Sequence, residues 1–172
     1  MRQAVLLLAL AIVSVSAAGC GGAAWSWPWG RPGAAPPNPV DSVDHIDLWA
    51  VPPAAINWDD MPGPDGVQVS VLLYREATPE PVMVKGSLEF SIWAGRLHGS
   101  DIATAQPFQT WSFNARELVA LQIRSPAGWG YGARLGWGAK RPNSQVVTVR
   151  VRYVPLNGSP VSSDPLLIPM PE

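Results

Sequence analysis

Apolar and polar residues alternate with a period of two along several stretches of the chain, starting near residue 43. In the first stretch the even positions from Ile46 to Ala50 are apolar, and the positions between them carry polar or aromatic side chains. This period is typical of a half-buried β-strand. We predict a strand at a sheet edge that ends at Pro52 and Pro53, because proline lacks the N–H that a ladder needs.

The same alternation predicts six further strands, at residues 67–73, 82–93, 111–113, 131–137, 147–153 and 166–168. Gly86 interrupts the third of the seven and indicates a bulge or a bend between sheets. The residues that we expect to face the core include Val69, Val71, Phe90, Ile92, Leu135, Val149 and Val151.

One short helix is predicted, near residues 114–121. Asn114 is followed three positions later by Glu117, which is the spacing of a capping box. Residues 95–107 carry no periodic pattern, and we predict a loop there.

These elements predict an all-β fold, a two-sheet antiparallel β-sandwich of about seven strands that spans residues 43–172. Turn residues such as those at 62–66 and 157–158 separate the strands. The layout resembles the immunoglobulin and fibronectin type III class, without its Cys…Trp…Cys signature. The similarity concerns architecture and implies no function.

The first twenty residues carry a different pattern. Arg2 is followed by an apolar run at residues 4–13, shorter than the roughly 20 residues of a membrane-spanning helix, and then by small residues that end at Cys20. This arrangement resembles the lipobox of bacterial lipoproteins. The resemblance implies that residues 1–19 are a signal peptide, that Cys20 is acylated and that the lipid bilayer is a partner.

Two alternatives stay open for this segment. Lipoboxes usually have Leu where this chain has Ala17, so ordinary signal peptidase could release a soluble protein, or the segment could remain as an uncleaved anchor. Cys20 is the only cysteine, so it has no disulfide partner within the chain, which favours lipidation. Gly21 and Gly22 lack the Asp that retains many lipoproteins in the inner membrane, so the resemblance favours the outer membrane, on its periplasmic or surface face.

Residues 20–42 form a tether rich in Gly and Pro, and such segments cannot bury enough apolar surface to fold. Three tryptophans in it, Trp25, Trp27 and Trp29, are candidates for contact with the bilayer interface. The charge balance argues against a nucleic-acid partner, because loss of Arg2 would leave 11 of the 12 basic residues against 13 acidic ones.

Three groups of polar residues are candidates for a catalytic or metal site. They are Asp41, Asp44, His45 and Asp47; Asp59, Asp60 and Asp65; and His98, Ser100 and Asp101. The first is typical of a strand entrance, the second has turn chemistry without an EF-hand spacing, and the third is too local for a triad. We therefore predict no enzyme activity, no metal and no cofactor.

Trp49, Trp93 and Trp129 are the candidate ligand or interface aromatics, because the alternation puts them on outward or loop positions. An exposed indole offers a flat surface for a sugar ring or a protein, whereas large aromatics buried under loops are common in sandwiches.

Several stretches of residues 57–168, including NWDDMPGPDGVQVSVLLYRE and GWGYGARLGWG, resemble a group of uncharacterised lipoproteins of planctomycete-type bacteria. The resemblance implies location and fold only. The leading hypothesis is a membrane-anchored, non-catalytic envelope module that serves interaction or structure, with an envelope protein or polysaccharide as partner. The alternative is a carbohydrate-binding module that uses exposed tryptophans.

Overall fold

The computed structural model describes residues 35–59 and 61–171, and this part of the chain forms a two-sheet antiparallel β-sandwich. Nine strands are present: β1 (His45–Ile56), β2 (Gly66–Tyr74), β3 (Ser87–Ala94), β4 (Gln109–Phe113), β5 (Gln122–Ser125), β6 (Gly128–Gly136), β7 (Val146–Val154), β8 (Val161–Ser162) and β9 (Leu166–Pro169). Two short helices, α1 (Gly99–Ile102) and α2 (Ala115–Leu118), join them, and a 3₁₀ turn at Val119–Leu121 extends α2.

The strand order is that of a Greek-key sandwich. One sheet runs β1-β2-β6-β5, and the other runs β4-β3-β7, with β8 and β9 both paired to the far edge of β7. With β4 lettered C′, the strands in chain order place A, B, E and D in one sheet and C′, C and F in the other, as in the immunoglobulin class. The predicted fold class is confirmed.

The core lies between the two sheets and consists of the inward faces of β2, β3, β6 and β7. Each residue predicted to face inward has no exposed surface: Val69, Val71, Phe90, Ile92, Leu135, Val149 and Val151. The period-two pattern therefore predicted correctly which face of each central strand is buried.

The first strand is longer than predicted. Pro52 and Pro53 do not end β1, which continues to Ile56 after a shift of register between Ala50 and Ala55. β1 is the sheet edge that the sequence predicted, and both prolines lie where its pairing with β2 is interrupted, so no ladder bond is lost.

The helix content is also higher than predicted. The capping box is confirmed, because Asn114 Oδ1 accepts the N–H groups of Arg116 and Glu117 at 2.9 and 3.2 Å, and Glu117 accepts the N–H of Asn114 at 2.8 Å. Within the predicted loop at residues 95–107, however, the chain forms α1. The strands β5 and β8 were not predicted, because β5 contains a single apolar residue, Ile123, and β8 has only two residues.

Gly86 is the point at which the chain changes sheets. Before it, the N–H of Val82 bonds Leu73 of β2 at 2.8 Å; after it, Ser87 pairs with Val154 of β7 in the other sheet. A Cβ on Gly86 would overlap the carbonyl oxygen of Val154. The predicted bend is therefore present, and it requires glycine because the two backbones touch.

The chain enters the sandwich at one end, which we name the tether end. The N–H of Val40 donates to Met83 at 2.8 Å, its carbonyl accepts from Lys85 at 3.0 Å, and the hydroxyl of Tyr153 donates to Asp41 at 2.9 Å. The opposite end, which we name the loop end, carries residues 57–65, 95–108 and 137–145. The nine residues of β7 separate the two ends by about 26 Å.

No helix in the described ranges is long and apolar enough to cross a membrane. The predicted signal peptide, Cys20 and the three tether tryptophans lie outside the described residues.

Alkaline pH should weaken the fold through Tyr131. Burial raises the pKa of this phenol to about 12 from 10.0, although the N–H of Val84, which donates to it at 3.0 Å, acts in the opposite direction. A folded state that prefers the neutral phenol keeps its full stability below pH 10.0 and loses it as the pH approaches 12. A shift of this size corresponds to about 2 to 3 kcal/mol.

Urea unfolding of the protein across this pH range should show that decline. The Tyr131→Phe variant, which has no phenol to ionise, should start less stable because Val84 loses its acceptor, and its profile should be flatter. Equal slopes for the two proteins would contradict the assignment to Tyr131.

Candidate functional site

The outer face of the four-stranded sheet has features that a purely structural face does not need. We name it the tryptophan face, and it comprises Trp49, Trp58, Gln68, Ser70 and Arg134, with the outward glycines of β6. Pairing places Gln68 opposite Arg134, and Ser70 between Trp49 and Gly132. All of these therefore point away from the core.

The outward positions of β6 are nearly bare. They are Gly128, Gly130, Gly132, Arg134 and Gly136, so four of the five have no side chain. Neighbouring side chains use this space: Leu72 lies against Gly130, and the indole of Trp58 lies 2.8 Å from where a Cβ on Gly136 would be. A strip of glycine in a strand marks close approach of another group to the backbone.

Trp58 is the most prominent aromatic residue of this face. Its indole lies over the paired Gly66 and Gly136, yet 48 % of the residue is exposed. Its position was not predicted from the sequence, because it lies in a loop without periodicity. The alternate glycines of β6 and the Trp-Asp-Asp sequence beside a Pro/Gly turn were the available signals.

Asp65 holds the loop that carries Trp58. This carboxylate is 7 % exposed, and one of its oxygens accepts the N–H groups of Trp58 and Asp59 at 2.8 and 3.1 Å. Its other oxygen faces Arg141 at 3.1 Å. Because the carboxylate binds the backbone N–H groups on both sides of the Trp58 Cα, it holds the backbone at Trp58 in place.

Two polar atoms on this face have no hydrogen-bond partner among the described residues. They are the hydroxyl of Ser70 and the amide oxygen of Gln68, whose residues are 2 % and 3 % exposed. The amide nitrogen of Gln68 does bond Val51, at 3.2 Å. Unpartnered buried polar atoms cost stability, so their retention on one face calls for an explanation.

Trp49, a candidate from the sequence, belongs to the tryptophan face and is half-buried. It lines a pocket of about 260 Å³ together with Ser70, Ser125, Pro126 and Ala127. The β5–β6 turn forms one wall of this pocket, and the unpartnered hydroxyl belongs to a residue of its lining.

Trp93 does not have the exposure that the sequence suggested. The predicted outward orientation of Trp93 is correct, because it shares the outer face of β3 with Glu89 and Ser91. Only 6 % of the residue is exposed, however. The segment that contains α1 covers it, and its indole N–H donates to Ala105 at 3.0 Å. Trp93 is therefore a structural residue that anchors this segment.

Trp129 lies on the inner face of β6, in the same phase as Tyr131, and packs against the core while half-buried. The expectation of an outward or loop position is wrong for it. It lines a second pocket, of about 430 Å³, between the β5–β6 turn and the entering chain at Ala35 and Pro37. This position suits a structural contact with the tether rather than an exposed platform.

The remaining polar candidates make local contacts. His45 and Asp47 form an exposed pair at 2.7 Å on one strand face, as the alternation predicted, and Asp44 accepts the N–H of Glu76 at 2.9 Å. The backbone N–H of His98, the residue before α1, donates to the carboxylate of Asp101 at 3.4 Å. These contacts cap turns and strand ends.

Asp59 and Asp65, considered for calcium, also serve the loop: Asp59 accepts the N–H of Met61 at 2.7 Å, and Asp65 binds the backbone as described. Asp60 lies outside the described residues. Among the residues that are described, no group of three or more metal-ligating side chains occurs.

The five-stranded sheet carries a polar groove of about 330 Å³ on its outer face. Its floor includes Ser91, which bonds Thr110 at 3.2 Å, and the ion pair in which Arg152 Nε lies 2.9 Å from Glu89. Arg150 also lines it and donates from Nε to Ser163 at 3.3 Å. These side chains largely satisfy one another, unlike the polar atoms of the tryptophan face.

Comparison of the chain with protein-family models, with curated proteins and with solved structures found no match.

Proposed function

We propose that this protein is a lipid-anchored, non-catalytic binding module of the cell envelope, attached through Cys20 and active through its tryptophan face. The observation that carries the proposal is the position of the tether end. The chain enters the sandwich there through the backbone hydrogen bonds of Val40, and Trp58 lies at the opposite end.

The geometry of the tether supports this arrangement. Residues 20–34 would span at most about 50 Å when extended, and β7 adds about 26 Å before the loop end is reached. A tether of this length can hold the domain clear of the bilayer, with the chain entering at the end opposite Trp58. A ligand in the envelope can therefore approach the tryptophan face without meeting the membrane.

The contacts of the polar residues support a binding role over a catalytic one. Asp65 holds a loop, Asp101 and Glu117 cap helices, and Glu89 pairs with Arg152. Each of these four carboxylates therefore has a structural role. The tryptophan face offers exposed aromatic surface at Trp58, which is a means of binding.

Cys20→Ala should release the protein from the membrane fraction and abolish labelling by a fatty-acid probe. Acyl chains anchor through about 0.8 kcal/mol for each buried CH₂ group, so their loss removes the anchoring energy. The β-rich circular dichroism should stay unchanged, because the described sandwich starts its pairing at Val40, well after Cys20. Fractionation, labelling and mass spectrometry of the N-terminal peptide provide the measurement.

Ala17→Leu is the matched control, because it restores the residue that a lipobox usually carries and should keep the label. An unmodified wild-type peptide that begins at Gly19 would contradict the anchor and indicate a soluble protein. An intact Met1 terminus would indicate an uncleaved segment instead. Separation of inner and outer membranes in the same preparation tests the proposed outer-membrane location.

A further inference from the structure

We propose that the polar groove on the outer face of the five-stranded sheet binds a hexuronic acid unit of an acidic polysaccharide, and that Arg150 holds the carboxylate of this unit. The inference goes beyond the proposed function, because it assigns a second binding site on the side of the sandwich opposite to the tryptophan face.

The floor of the groove consists of outward side chains in two rows that run across the sheet. Thr110, Ser91 and Arg150 are paired in one row. Glu89 and Arg152 are paired in the next row. Two strand spacings, or roughly 10 Å, separate Thr110 from Arg150. This width suits one or two sugar rings.

The segment that contains α1 forms a wall beside this floor. It covers Trp93, the next outward residue of β3 after Ser91, so it stands above the level of the floor. Ile102 and Pro107 of this segment line the groove. The groove is therefore a recess, of about 330 Å³, with a polar base and an apolar side.

The guanidinium of Arg150 has donors that no other residue uses. An arginine carries five N–H groups, and in Arg150 only Nε has a partner in the described ranges, the carbonyl of Ser163 at 3.3 Å. Both Nη atoms, with the other four N–H groups, therefore remain for a ligand. A planar pair of donors matches the two oxygens of a carboxylate and binds them with two parallel hydrogen bonds.

The charge of the groove favours a ligand with a single negative charge. Arg150 and Arg152 contribute two positive charges and Glu89 one negative charge. Arg152 bonds one oxygen of Glu89, through Nε at 2.9 Å and through Nη2, so the other oxygen has no partner in the part of the chain that the structure describes. A hexuronic acid meets both features, because its carboxylate can bind Arg150 and a ring hydroxyl can donate to Glu89.

The strands beneath the groove favour a sugar over a peptide. Peptides commonly bind a β-sheet by adding a strand at an open edge, but the centre of the groove lies on β3 and β7, and each of these strands is paired on both sides. Side chains are therefore the groups that face the groove there. The hydroxyls of Ser91 and Thr110, which bond each other at 3.2 Å, can still exchange hydrogen bonds with the hydroxyls of a sugar.

The test uses the full chain in detergent solution, so that binding does not depend on whether Cys20 is acylated. The probe is α-1,4-linked hexagalacturonate, and a neutral hexasaccharide of glucose is the comparison; both are titrated by calorimetry at low ionic strength. We expect the acidic probe to bind and the neutral one not to bind. Arg150→Gln should weaken binding about tenfold or more, and Arg150→Lys, which keeps the charge without the planar fork, should recover only part of the affinity.

Glu89→Gln separates a binding role from a structural one. It removes the negative charge from the groove and keeps an oxygen that accepts a hydroxyl, so hexagalacturonate should bind about threefold more tightly although the ion pair with Arg152 is lost. A residue with a purely structural role would not raise the affinity when it is replaced.

Arg116→Gln is the matched control, because it removes the same charge from an exposed arginine of α2, outside the groove. It should leave the affinity unchanged, and so should Trp58→Ala on the opposite sheet. The melting temperature of each variant shows that the folded protein is being compared.

Failure of hexagalacturonate to bind would overturn the proposal, as would equal losses in Arg150→Gln and Arg116→Gln or a loss in Trp58→Ala. A hexapeptide of glutamate that bound as tightly as the sugar, with the same dependence on Arg150, would assign the groove to acidic peptides instead. None of these outcomes depends on Cys20, so failure of this site and failure of the proposed anchor are distinguishable.

Discussion

Val149→Asp should unfold the domain, whereas Arg150→Asp, the next residue of the same strand, should leave it folded. Val149 has no exposed surface and pairs with Ile92 and Leu166 in the middle of the five-stranded sheet. A carboxylate there has no partner and must either stay charged in an apolar core or become protonated. We expect a loss of about 4 kcal/mol or more, a large share of the stability of a single domain.

Arg150 provides the control because its side chain points to the outer groove. The substitution removes one bond, from Nε to Ser163 at 3.3 Å, so the expected loss is about 1 kcal/mol. Chemical unfolding of the two variants gives the comparison. Equal midpoints would mean that the register of β7 is wrong.

Gly86→Ala should be the most damaging of the small substitutions. The added Cβ would overlap the carbonyl oxygen of Val154 and would lie 3.0 Å from Pro155 Cα, and both are backbone atoms that cannot rotate away. The strand would have to move from β7, which would disturb the point at which the chain changes sheets. We expect a loss of about 3 kcal/mol, measured by thermal and urea unfolding.

Gly99→Ala is the matched control, because nothing lies within 4 Å of a Cβ at Gly99, which begins α1. Alanine is favoured over glycine in a helix, so this variant should be neutral or slightly more stable. A Gly86→Ala protein as stable as the Gly99→Ala protein would show that the two backbones at Gly86 are farther apart than described.

The core was predictable from the sequence because a single physical rule determines it. Residues such as Val69 and Leu135 are buried on one side of strands whose other residues are more polar, and a period of two records that difference directly. The same rule, extended by one step from Tyr131, places Trp129 inside. Trp129 was predicted to point outward because the alternation was not extended from Tyr131 to residue 129.

The burial of Trp93 beneath the segment that contains α1 was not predictable in this way. Its outward phase was correct, but burial depends on α1 and Ala105, which reach it from a loop without periodicity. Trp58 is a similar case, because its position follows from Asp65 and from its contact with Gly136, which is distant in sequence. Local patterns determine which side of a strand a residue occupies, while long-range contacts determine what lies above it.

The pairing of distant segments also sets the order in which this chain can acquire structure. Gly66 pairs with Gly136, and Ser87 pairs with Val154, so each sheet needs residues from both halves of the domain. A chain that emerges from a ribosome with its N-terminus first cannot complete the four-stranded sheet until β6 has emerged, nor pair β3 with β7 in the five-stranded sheet until β7 has emerged. Such non-local topologies fold in milliseconds to seconds. The pairs β1–β2 and β3–β4 are local, but β2 and β3 each lack one neighbouring strand until the second half of the domain has been made.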